Sequence, residues 1–107
     1  MQDKYILRFL PKFYEDLDEI VFYICDVLNN KSAAERLLNS VEAAIMARLP
    51  IAESFEAYRS LKNRRYPYYR IYVNNYIIFY VIIEVADQKI MEVRRILYRG
   101  QNRDKIL

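Results

Sequence analysis

Residues 69–104 read YRIYVNNYIIFYVIIEVADQKIMEVRRILYRGQNRD, and this run constrains the chain more than any other. Three segments rich in β-branched residues and tyrosine follow one another, separated by two short polar connections. The composition and bounded length of each segment predict a strand. Tyr69–Val73, Tyr76–Val85 and Lys89–Arg99 are the expected strands. Asn74-Asn75 forms a two-residue connection suited to positive φ, and Ala86-Asp87-Gln88 turns the chain again. Two tight connections in succession imply an antiparallel meander.

The N-terminal half has a different period. Tyr5, Leu7 and Phe9 alternate with Ile6 and Arg8, which predicts a short first strand. Pro11 suits a first helical position, where a missing N–H costs nothing. Phe13, Leu17, Ile20, Val21, Ile24 and Leu28 then fall on one helical stripe. Glu15, Asp16, Asp18, Glu19 and Asp26 are assigned to its solvated face. Asn29-Asn30 ends this helix. Ser32 and Glu35 have the spacing of a capping box. Ala34, Leu37, Leu38, Val41, Ala44 and Ile45 form a second stripe, which Pro50 closes. The short connection predicts an antiparallel helix hairpin. Residues 51–67 show no clean period and read as a long loop with room for one helical turn. The expectation is a single α+β domain over residues 1–107 with the order β-α-α-β-β-β. Its antiparallel sheet packs one face against the N-terminal helix hairpin.

Alternation assigns faces. Tyr76, Ile78, Tyr80 and Ile82 are expected to meet the helices, with Ile71 and Val73. Arg70, Tyr72, Ile77, Phe79 and Val81 are expected to point away, giving an outer surface both apolar and basic. Such a surface is ordinarily covered by a partner.

Charge is divided unevenly along the chain. Residues 1–58 hold six Lys/Arg and ten Asp/Glu, a net −4, whereas residues 59–107 hold eleven and four, a net +7. A basic half implies an anionic partner, unless the two halves neutralise one another within the fold. Several chemistries are excluded. The chain has no histidine and one cysteine, so neither a metal site of those ligands nor an internal disulfide can form. Acids close to Cys25 disfavour its thiolate, and it reads as a small core residue. The only glycine is Gly100, so there is no glycine-rich phosphate loop and no cofactor is expected. No apolar run reaches the length of a membrane span, and the unpaired cysteine fits a reducing cytosol. Lys62-Asn63-Arg64-Arg65 reads as exposed loop charge.

Three stretches resemble the RelE/ParE superfamily of bacterial toxins from type II toxin–antitoxin pairs. They are Tyr69-Arg70-Ile71, Asn75-Tyr76-Ile77-Ile78-Phe79-Tyr80, and Arg95-Ile96-Leu97-Tyr98-Arg99 followed by Arg103-Asp104. The order of elements along nearly the whole chain is similar too. The resemblance implies a cytoplasmic toxin that inhibits growth and is neutralised by a cognate antitoxin. Two mechanisms occur in the superfamily: RelE-like members cleave mRNA on the ribosome, and ParE-like members poison DNA gyrase. Arg70, Tyr98 and Arg99 are the candidate catalytic residues, and Tyr72, Ile77, Phe79 and Arg103 the candidate contacts to nucleic acid or target. RNA cleavage needs a base for the 2′-hydroxyl, an acid for the leaving oxygen and cations for the phosphorane. Tyr98 stands where many relatives carry a histidine, and a phenol with a pKa near ~10 is a poor base at neutral pH. Ile77 stands where cleaving members carry an arginine. Both departures favour a ParE-like or catalytically weak toxin, with RelE-like cleavage as the alternative. From a different class, the tyrosines and arginines also suit a plain nucleic-acid-binding module.

Overall fold

The computed structural model describes residues 5–57, 65–101 and 107. Its elements are β1 (Tyr5–Phe9), α1 (Pro11–Phe22), α2 (Lys31–Arg48), β2 (Tyr69–Val73), β3 (Tyr76–Val85) and β4 (Gln88–Tyr98), the expected α+β order. The strands form one sheet in the order β1-β4-β3-β2. β2, β3 and β4 make the antiparallel meander, and β1 joins β4 in parallel from Tyr5↔Lys89 to Phe9↔Val93. The second turn is shorter than expected: Ala86 and Asp87 alone separate β3 from β4. Asn74 (φ 53°) and Ala86 (φ 56°) each open their turn in the left-handed region. One positive φ at the first loop residue matches the right-handed twist of a hairpin.

The helix hairpin covers one face of the sheet. Phe13, Leu37, Val41 and Ile45 meet Ile71, Val73, Ile78, Tyr80 and Val93 in the main core, and Tyr76 and Ile82 pack against its margin. Two features of the hairpin differ from the sequence reading. α1 runs on into a π-helical turn, Tyr23–Val27, in which the Leu28 N–H bonds the Tyr23 carbonyl at 2.9 Å. The wider turn shifts the helical phase, so Leu28 leaves the stripe and is exposed. The capping box does not form at Ser32. Asn30 is the N-cap, accepting from the Ala33 N–H at 3.1 Å, while the Ser32 hydroxyl accepts from Arg36. α2 therefore starts two residues earlier than that box requires.

The opposite face of the sheet holds a second core, and here an expectation is overturned. Ile77 is 1% exposed and Phe79 0%. They pack with Val81, Leu97 and Tyr68, flanked by Tyr66, Ile83 and Leu107. Tyr68 meets Phe79 edge-on, with ring centroids 5.9 Å apart. The outer apolar surface is thus covered by the chain itself, and Ile77 and Phe79 are not available as an exposed protein-binding pair.

Asp16 is a second correction. It does not lie on the wet face of α1: it is 8% exposed. Arg95 donates to it through Nε (2.7 Å) and Nη2 (2.9 Å), and the Ile96 N–H adds a third bond at 3.2 Å. β1 pairs with β4 only as far as Val93, so beyond that point β4 has an open edge. Asp16 takes the place of a strand partner there, and its bond to Asp16 holds the Arg95 guanidinium above its ordinary pKa against the opposing effect of burial.

Candidate functional site

Arg70, Tyr72 and Arg99 form one cluster on the outer side of the sheet. Arg70 and Tyr72 are alternate residues of β2 and share a face. The Arg70 guanidinium carbon lies 5.7 Å from the centre of the Tyr72 ring and that of Arg99 lies 5.3 Å from it. Tyr72 is 52% exposed between them. Arg99 reaches this position because its N–H bonds the Asn75 carbonyl at 2.9 Å, tying the end of β4 to the β2–β3 turn. An exposed ring with two guanidiniums suits an anionic group, with each cation–π contact contributing about 0.5–1 kcal/mol.

Arg48 anchors this cluster from the other side, and the sequence reading did not single it out. At the last turn of α2 its Nη1 donates to the Arg70 carbonyl and to the Tyr80 hydroxyl, both at 3.0 Å. Tyr80 in turn donates to the Ala52 carbonyl at 2.6 Å. Burial raises the Tyr80 pKa, and the Arg48 contact only partly opposes that rise. Arg48 also stacks on Phe55, 3.5 Å from its ring centre. A basic residue at a helix C-terminus is ordinary in sequence, so nothing but the fold marks this one.

Tyr98 lies on the opposite face from Arg99. It pairs directly with Tyr76, edge-on, with centroids 5.9 Å apart. Tyr98 and Tyr76 line an open groove of about 550 Å³ between α1 and the end of β4, together with Tyr23, Glu19, Asp16 and Arg95. The three candidate catalytic residues are therefore not assembled: Arg70 and Arg99 meet around Tyr72, and the sheet separates them from Tyr98. Arg103 lies outside the described residues, as do residues 62–64 of the basic loop run, whose Arg65 stacks on Tyr66 at 5.4 Å.

The basic half is partly compensated within the fold. Glu92, 4% exposed, lies between Arg8 and Arg94, whose Nε atoms donate at 2.8 and 2.7 Å. Burial pushes the Glu92 carboxyl up, but the bonds from Arg94 and Arg8 outweigh it and hold the pKa below its ordinary value. Glu53 takes Lys89 at 2.7 Å and the Tyr5 hydroxyl at 2.8 Å. The Lys89 bond lowers the Glu53 pKa, with burial opposing and Tyr5 assisting. Asp16–Arg95 and Glu53–Lys89 thus pair acids of the first half with cations of the second. Among the described residues no group of three or more Cys, Asp or Glu stands ready to hold a metal, and no helix is long and apolar enough to cross a membrane.

Comparison with known families agrees with this arrangement. The model of the ParE toxin of the type II toxin–antitoxin system, parDE, matches residues 7–103. Neither the curated proteins nor the solved structures contain a significant match. The family match takes in both helices, β2, β3, β4 and β1 from Leu7 onward, and the chain belongs to the ParE toxin family of type II toxin–antitoxin systems.

Proposed function

We propose that this toxin arrests growth by acting on DNA gyrase, without cleaving RNA, and that a cognate antitoxin neutralises it in the cytoplasm. The observation that carries this reading is the separation of Tyr98 from Arg70 and Arg99 in a chain with no histidine. In-line cleavage needs a proton acceptor and a proton donor beside the cations that stabilise the phosphorane. Arg70 and Arg99 can supply charge, and Tyr72 can donate a hydrogen bond. The remaining candidate, Tyr98, faces the helices. Ile77, where an arginine would stand in a cleaving relative, is sealed in the outer core. What remains is a binding surface: two guanidiniums about an exposed ring, held from behind by Arg48.

The test is induction of the chain alone and together with its neighbouring gene, following plasmid supercoiling and mRNA integrity separately. Growth arrest with altered supercoiling, intact message and relief by the neighbour is the expected result. The double variant Arg70→Ala/Arg99→Ala should weaken the arrest at least tenfold in the expression level needed. Rapid fragmentation of mRNA with unchanged supercoiling would replace this mechanism with the RelE-like one. Normal growth in the induced strain would remove the toxic function altogether.

A further inference from the structure

The groove between α1 and the end of β4 has a chemistry opposite to that of the arginine cluster. Three of its charges are already engaged. Asp16 and Arg95 are bonded to each other at its floor, and Lys12 lies 3.5 Å from Glu15. Glu19 lines the same groove and takes no ion pair among the described residues. It stands two turns along α1 from Lys12, about 10 Å away along the axis, and one turn before Tyr23 on the same face. The local charge at that end of the groove is therefore negative.

Around Glu19 the walls are aromatic. Tyr23 and Tyr98 are 51% and 52% exposed, and Tyr76 is half-buried between the helix and β4. None of the three hydroxyls has a hydrogen-bond partner among the described residues. The phenols converge closely enough that Tyr98 and Tyr23 add to the burial that raises the Tyr76 pKa. Three π faces and an unpaired carboxylate together attract a cation, and a planar one can stack and bond at once.

The backbone decides how a partner would enter. The two N–H groups on the open edge of β4 are both occupied by side chains: Ile96 by Asp16 and Tyr98 by the Gln101 carbonyl, at 3.2 and 2.8 Å. A strand laid along this edge would have to displace them. A side chain inserted between the tyrosines would not.

We propose that this groove is a second interaction site, which takes an arginine side chain from a partner polypeptide. The guanidinium stacks within Tyr23, Tyr76 and Tyr98 and its fork faces the Glu19 carboxylate. The site is separate from the Arg70–Tyr72–Arg99 surface, which suits anions, and it does not depend on which target the toxin acts on. One chain can then grip a partner of mixed charge at two places with opposite selectivity.

The experiment uses the purified chain and Nα-acetyl-arginine amide, with the neutral isostere Nα-acetyl-citrulline amide as control, read by amide and tyrosine-ring NMR shifts. A ligand of this size at ordinary efficiency binds at about 1 mM. Saturable shifts centred on Glu19, Tyr23, Tyr76 and Tyr98 are expected, with citrulline at least tenfold weaker. Glu19→Gln, a change at an exposed position, should weaken arginine binding about tenfold, and Tyr98→Ala should weaken it too, with unchanged circular dichroism in both. Equal shifts from the two amides, or full binding by Glu19→Gln, would overturn the proposal. So would a single-stranded RNA oligonucleotide that shifts the same tyrosines more strongly, because the groove would then be a base-stacking site. None of these readouts involves growth, so the outcome stands apart from the test of toxicity.

Discussion

Removing the Asp16 carboxylate tests the central packing argument. Asp16→Ala removes the carboxylate that takes two bonds from the Arg95 guanidinium, only 17% exposed, and it strips the Ile96 N–H of its acceptor. Breaking a buried pair from one side costs about 3–5 kcal/mol, and an unsatisfied buried N–H about 1–3 kcal/mol. Arg95 borders an open groove and can recover some hydration, so the low end applies and the expected loss is about 3 kcal/mol. In urea, with a slope near 1.5 kcal/mol/M for a chain of this size, the unfolding midpoint should fall by about 2 M. Asp16→Asn keeps one acceptor oxygen and should lose roughly half as much. The double variant Asp16→Ala/Arg95→Met should recover part of the loss, with a coupling energy of at least ~1.5 kcal/mol in the mutant cycle. A loss below about 1 kcal/mol would refute the reasoning, since that is the range of an exposed ion pair on a wet helix face.

Other consequences follow at single positions. Ala86 carries a side chain at φ 56°, so Ala86→Gly should relieve backbone strain and raise the melting temperature by about 3–6 °C. Asn30→Ala should cost about 1 kcal/mol by uncapping α2, whereas Ser32→Ala should change stability by less than about 0.5 kcal/mol; equal losses would return the cap to Ser32. Glu92 has a folded pKa below its ordinary 4.5, so its contribution is present above that value and is lost as pH falls through the folded one. Urea midpoints measured at pH 7 and pH 3 should therefore differ less in Glu92→Gln than in the parent chain.

The sequence was most readable where a short period met a turn. β2 and β3 have the limits that alternation and the two connections assign, because hairpin geometry ties register to turn length. It was least readable where an apolar pattern has two structural meanings. Residues 76–83 are an unbroken apolar run, which signals a strand buried on both sides. Reading it as half-exposed put Ile77 and Phe79 on a surface. Asp16 shows the converse. It lies three residues after Phe13 and four before Ile20, on the buried stripe by spacing, and charge alone suggested water. Its partner Arg95 is 79 positions away, and no local pattern reports such a pair. The separation of Tyr98 from Arg99 was legible in principle, since adjacent strand residues face opposite ways.

Which face each of those two residues occupies is set by one irregularity in β4. The β3–β4 register runs evenly from the turn to Tyr80↔Val93 and then shifts, so that Phe79 opposes Arg95. One extra residue is accommodated between Val93 and Ile96, both of which pack in the main core. Strict alternation from Val93 would turn Arg95, Leu97 and Arg99 toward the helices and Ile96 and Tyr98 outward. The bulge reverses that assignment. It turns Leu97 into the outer core, sets Tyr98 against Tyr76, and delivers Arg99 to the side that carries Arg70 and Tyr72. It also divides the Arg94-Arg95 pair, one bonding Glu92 and the other Asp16 across the edge of β4. A bulge bends the strand and re-aims side chains at the cost of local pairing, and two arginine–carboxylate pairs offset that cost here. Both candidate surfaces, the arginine cluster and the tyrosine groove, thus depend on the same extra residue. Shortening β4 by one residue at Arg94 would dismantle both surfaces, even though neither contains that side chain.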